Sequence, residues 1–178
     1  MLRKSLVLVV SVLLIMSAVA LGAEDIVIGL VTPVTGDVAT FGISVRNAAL
    51  LWEKQVNSRG GIQGRKVKII VEDDKGVPSE TANAVSKLIN QSKVLMIMGP
   101  VTSKCANAGA PIGQAAKVPV LTPTATDQAV TAVGNYVFRA CFIDPFQGQV
   151  MGKFALDALK AKTAAMLYDI GNDYTKGL

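Results

Sequence analysis

An α/β fold, with a parallel, doubly wound sheet covered by helices on both faces, is what this sequence predicts, and three observations carry the prediction. Strand-like apolar runs alternate with helical patterns along the chain. The runs are almost continuously apolar, as in strands buried on both sides. Between them, apolar residues recur at spacings of three and four, which paints one buried stripe on a helix. Hydrophobic residues make up 51% and charged residues 17% of 178, enough apolar side chain for a core in one modest domain or one and a half small ones.

The elements follow in order. Ile26 to Val31 is a β-branched run that ends at the turn Thr32-Pro33. A helix is expected from near Ile43 to Arg59, with Val45, Ala48, Ala49, Trp52 and Val56 as its stripe and Gly60-Gly61 as its stop. Lys66 to Glu72 is the second strand, and Asp73-Asp74-Lys75-Gly76 its turn. Pro78, Ser79 and Glu80 open the next helix, which buries Ala82, Val85, Leu88 and Ile89. Val94 to Met98 is a third strand, and a helix of small residues follows from about Ser103 to Lys117. Val118 to Leu121 and Tyr136 to Arg139 are short strands four and five. Phe146 to Ala161 reads as a helix and Ala164 to Tyr168 as a further strand, with another helix beginning near Tyr174.

Residues 1–23 read as a secretory signal peptide. Arg3 and Lys4 form the positive region, Leu6 to Ala20 the apolar stretch, and Gly22 and Ala23 the small residues at a cleavage site. Without Arg3 and Lys4, 16 of the 18 basic residues remain against 13 acidic ones, a net of +3 with no basic run interleaved with aromatics. Nucleic-acid binding is therefore not expected. The chain has no histidine, which removes the Ser-His-Asp triad, imidazole zinc sites and the usual neutral-pH proton shuttle. An enzyme is the weakest reading, and no cofactor or metal is expected. Export permits a disulfide, so a Cys105–Cys141 bridge stands as a hypothesis.

In a parallel sheet of this kind ligands bind beyond the carboxyl ends of the strands, and five loops there hold the candidates. Phe41, in the small-residue loop after strand one, either staples the helix entry or contacts a ligand. Ser103, after strand three, either caps its helix or joins the free N–H groups there in seating a carboxylate. After strand four, Pro123 holds Thr124-Ala125-Thr126 extended. The hydroxyl and N–H of Thr126 and the carbonyl of Thr124 can serve a carboxylate and an ammonium together, or Thr126 or Asp127 simply caps a helix. Asp73-Asp74 is read as a solvated, capping turn in preference to a metal site. Tyr174 either stacks on a ligand or packs at a helix start.

An ordered series of segments resembles the periplasmic leucine/isoleucine/valine-binding proteins of ABC transporters, with their type I periplasmic binding fold. The series runs Ile28-Gly29-Leu30, Gly36, Phe41-Gly42, Asn57-Ser58-Arg59-Gly60-Gly61-Ile62, Glu72-Asp73-Asp74 and Gly99-Pro100. It continues through Pro123-Thr124-Ala125-Thr126, Phe138-Arg139, Gln147-Gly148 and Asp173-Tyr174-Thr175-Lys176-Gly177. The resemblance implies two α/β lobes closing like a clamshell on a small amino acid. Residues 24–142 would be most of the first lobe and residues 143–178 the start of the second, so the chain would be an N-terminal fragment. It implies that Ser103 binds the α-carboxylate, Thr126 both charged groups and the Thr124 carbonyl the ammonium, with Phe41 and Tyr174 lining the pocket. It further implies a periplasmic location, a membrane ABC permease as partner and a monomer. Gly76 and Thr102 stand where the best-known members have a disulfide, and the family's acidic partner for the ammonium lies beyond residue 178. Alternatives are a ligand-sensing module, or a binding protein for urea, short amides or aromatic acids.

Overall fold

A computed structural model describes residues 24–178; the expected signal peptide lies outside the described residues. Strands β1 (Ile26–Thr32), β2 (Val67–Asp73), β3 (Met96–Met98), β4 (Val120–Thr122) and β5 (Val137–Arg139) form one sheet in the order β2-β1-β3-β4-β5, every neighbouring pair parallel. Helices α1 (Ala39–Ser58), α2 (Pro78–Asn90), α3 (Ser103–Ala116) and the single turn α4 (Ala129–Ala132) supply the crossovers. Helices α5 (Asp144–Asp157) and α6 (Asp173–Gly177) follow the last strand.

Side chains alternate across a pleated strand, and the two faces are covered differently. On one face Val31, Ile97 and Val120 pack with Ala84, Val85 and Leu88 of α2, and Ile112 of α3 extends the cluster. On the other, Ile28, Leu30, Val67 and Ile69 pack with Val45, Ala49 and Val56 of α1. That is the doubly wound arrangement expected. The second face is covered only over β1 and β2. An open apolar cleft of about 270 Å³ lies between Trp52 of α1 and Leu30, Met98 and Leu121 of the sheet.

Two glycines are required by close approach. Gly99 has φ +93° and its Cα faces the Val31 carbonyl, and Gly42 lies against the Pro33 carbonyl, so a Cβ at either would collide with main chain. The Gly42 contact lets the buried Thr32 Oγ1 donate to the Gly42 carbonyl at 3.1 Å and fixes the entry of α1. At the far end of that helix, the Asn57 amide both donates to the Val67 carbonyl (2.7 Å) and accepts from the Val67 N–H (2.8 Å).

Several expectations need correction. The segment 164–168 is not a strand: it is exposed throughout, and no described strand lies beside it to take its backbone hydrogen bonds. Ser103 is not the cap of α3; Thr102 is, its hydroxyl accepting from the Cys105 N–H at 3.4 Å. Asp73-Asp74 is not a solvated pair, because Asp74 is wholly buried and accepts from the Gly76 N–H and the Thr81 hydroxyl. Cys105 and Cys141 are both free thiols. Cys105 lies among Thr102, Thr81 and Asp74, whereas Cys141 Sγ turns to the Ala125 carbonyl, so the two sit in different neighbourhoods. Burial pushes both thiols up.

Candidate functional site

The carboxyl ends of β3 and β4 are adjacent, so the loops that follow them meet. They are tied together from below. Thr122 Oγ1 donates to the Pro100 carbonyl (2.7 Å) and accepts the Ala125 N–H (3.1 Å), while the Thr124 hydroxyl donates to the Val101 carbonyl. From the β5 side, the Arg139 guanidinium donates to the carbonyls of Ala125 (3.0 Å) and Asp127 (2.8 Å) and to Thr131 Oγ1 (2.6 Å). A guanidinium presents its donors in a rigid fork, so two bonds to the loop and one to α4 hold the segment in one shape. Phe138-Arg139 stands out in the sequence only as part of an ordered series; its task becomes visible once β5 lies beside β4.

On this platform Ser103 and Thr126 come together. Both are buried, and the Asp127 N–H donates to Ser103 Oγ at 3.2 Å, which brings the two within one residue of each other. A hydroxyl that accepts in this way keeps its own proton to donate. Of the first N–H groups of α3, that of Cys105 goes to Thr102 Oγ1 and that of Ala106 to the Thr102 carbonyl. Among the described residues those of Ser103 and Lys104 make no such bond, and they lie at the positive end of the helix. At this corner the Ser103 hydroxyl and the free N–H groups are donors suited to an anion, while the Thr126 side chain lies beside the Asp144 carboxyl. The Thr124 carbonyl, on an exposed residue, is an acceptor for a cation beside it.

Phe41 and Tyr174 stand differently. Phe41, in the first turn of α1, is 66% exposed and staples nothing. Tyr174, in α6, accepts a hydrogen bond from Gln147 Nε2 at 2.8 Å through its phenol oxygen. No group of three or more acidic or thiol side chains able to hold a metal exists among the described residues.

Two further residues border the site. Asp144, at the start of α5, gives its N–H to the Thr126 carbonyl at 3.1 Å, and its carboxyl is wholly buried with no hydrogen-bond partner for either oxygen. Burial pushes this carboxyl up, with the Asp127 charge adding to the shift and the nearby Thr126 side chain and Arg139 charge opposing it. Asn107, one turn beyond Ser103 on α3, donates to Asp127 Oδ2 (2.7 Å) and Asp173 Oδ2 (3.1 Å). Sequence reasoning missed both. An Asp at a helix start and an Asn within a small-residue helix are ordinary until the fold supplies their neighbours.

Comparison with known proteins gives this geometry a setting. The periplasmic binding protein family matches residues 25–177. The Leu/Ile/Val-binding protein BraC3 of Rhizobium johnstonii is 37% identical over 159 residues, which is 89% of this chain and 43% of that protein. The branched-chain amino acid transporter substrate binding protein LivJ of Streptococcus pneumoniae, solved with isoleucine, superposes with a TM-score of 0.84 at 32% identity over 86% of this chain and 44% of its own. A solute binding protein of an ABC transporter from Rhodopseudomonas palustris, solved with a dihydroxybenzoic acid, gives 0.69 at 29% identity over 75% and 36%. The chain thus spans less than half the length of these relatives. With the parallel sheet, the strand-tip site and a match over nearly all described residues, the chain belongs to the periplasmic binding protein family, in its type I fold.

Proposed function

We propose that this chain is the ligand-gripping part of an extracytoplasmic solute-binding protein that captures a small, branched-chain amino acid for an ABC transporter. The observation that carries the reading is the Ser103–Asp127–Thr126 corner, where two buried residues with hydroxyls meet across two neighbouring strand tips. Hydroxyls and free N–H groups at a helix start suit a carboxylate. The Thr124 carbonyl one step along suits the ammonium of the same molecule. In this reading residues 24–142 are most of the first lobe and 143–178 begin the second, with Phe41 and Tyr174 facing the side chain of the ligand. The permease is the partner, the location is periplasmic after cleavage of residues 1–23, and the protein acts as a monomer. No catalytic step is involved.

Isothermal titration of the full-length protein with leucine, isoleucine and valine tests the proposal. Binding is expected, and Thr126→Ala is expected to weaken it by about 1–3 kcal/mol, roughly 5–150-fold, the cost of leaving a desolvated polar group unpaired. Binding that Thr126→Ala leaves untouched rejects this site.

A second reading rests on the Rhodopseudomonas palustris neighbour solved with an aromatic acid. The carboxylate seat would be the same and the Thr124 carbonyl idle. A hydroxybenzoate that binds more tightly than leucine would favour it.

A further inference from the structure

Asn107 joins two parts of the chain that are far apart in sequence. Its Nδ2 carries two protons; one bond runs to Asp127, at the tip of β4, and the other to Asp173, at the start of α6. Asp127 is already part of the ligand corner through its N–H to Ser103, and its other carboxyl oxygen takes the Ala129 N–H at 3.0 Å. Asp173 pairs through its other oxygen with Lys176 at 3.0 Å. Two carboxylates on one amide repel each other, so the amide protons must offset that repulsion. The Lys176 hydrogen bond first, and then that of Asn107, hold the Asp173 carboxyl below the ordinary carboxylate range. Other tethers of α6 are few among the described residues: Tyr174 to Gln147, and Gly177 packed on Asp144. The stretch 162–171 before it is exposed throughout.

We propose that Asn107 is a latch: it holds α6 beside the Ser103–Thr126 corner and slows release of the bound solute without touching it. The proposal rests on reading residues 143–178 as the start of the second lobe. A latch that forms after the lobes close acts on dissociation and leaves association alone. Alanine at this position has no donor, so both bonds go.

The test uses the full-length protein in four forms: wild type, Asn107→Ala, Asp173→Ala and the double variant. Amide hydrogen exchange across residues 174–178 and stopped-flow kinetics with leucine are measured on each. The expected result is about 10-fold faster exchange in each single variant and no further gain in the double one. Leucine dissociation is expected to speed up by about 10-fold while its association rate stays within about 2-fold. A stabilising role alone would not divide the two rates in this way. Unchanged exchange, or single-variant effects that simply add, overturns the latch. Faster exchange in the variants, of a protein whose wild type binds no leucine, upholds the hold on α6 and rejects the amino-acid reading instead. Should Asn107→Ala fold poorly, Asp173→Ala set against Lys176→Ala, which breaks only the ion pair, gives the same decision: equal exchange in the two overturns the latch.

Discussion

Asp144 holds a wholly buried carboxyl on which no well-formed hydrogen bond closes, although the Thr126 side chain lies beside it. Burial raises its folded-state pKa above the ordinary value of 3.8, so ionisation opposes folding. The sign follows from linkage. A carboxyl whose folded pKa is raised costs no stability below its unfolded pKa, and costs progressively more as pH rises through the folded one. Asp144→Asn is therefore expected to raise the melting temperature near pH 7, by an amount on the order of 1 kcal/mol in stability, with the gain vanishing as pH falls toward the ordinary carboxylate range. Circular dichroism melts at both pH values decide it; a loss at neutral pH, or a gain independent of pH, contradicts the account. Asp73 is the opposite case. Burial pushes it up, but hydrogen bonds from the Thr35 hydroxyl and the N–H groups of Lys75, Val34 and Thr35 outweigh that and bring it down. Its stabilising contribution is present above the unfolded pKa and lost as pH falls through the folded one. Nothing in the adjacent pair Asp73-Asp74 hints at this difference. Asp73 faces the loop after β1 and Asp74 the first turn of α2, and only the fold decides which.

At the scale of elements, the strands and helices of the sheet were readable because each carries its period in its own residues. The stripe of α1 is an example: Val45, Ala49 and Val56 pack on the sheet as their spacing predicts, while Ala48 and Trp52 from the same stripe lie at the open cleft. The boundaries moved where a partner was needed to set them. The helix start at Ala39, earlier than Ile43, depends on the Thr32–Gly42 contact, and the cap at Thr102 depends on which hydroxyl can turn back to Cys105. The segment 164–168 shows the limit most plainly. Its apolar run is right for a strand, but a strand is a pairing, and its Met166 and Leu167 are almost fully exposed. Asn57 carries a prediction at this scale. Its amide closes two hydrogen bonds on the Val67 main chain and so fixes where β2 begins beside α1. Asn57→Ala leaves a buried main-chain pair unmet and is expected to destabilise by about 2 kcal/mol. Urea unfolding reads this as a lower midpoint at unchanged slope; a change within experimental scatter contradicts it.

Over the whole molecule, the parallel sheet brings the loops after β1 to β4 to one edge, and that is why strand-tip residues could be nominated before any geometry was known. Ser103, Thr124 and Thr126 are brought together there, and Phe41 lies in the first turn of α1, just after β1. What no strand-by-strand reading could supply is the cross-connection through Arg139, Asn107 and Asp144, which depends on contacts between residues 8 to 66 positions apart.

The central claim is that the corner between β3 and β4 is built for both charged ends of an amino acid. Titration of the full-length protein with leucine, with isocaproate (leucine without its ammonium) and with isoamylamine (leucine without its carboxylate) tests it most directly. The account predicts that leucine binds and that each analogue binds at least about 10-fold more weakly, the loss of a hydrogen bond to a charged group. Isocaproate or isoamylamine binding as tightly as leucine would contradict it.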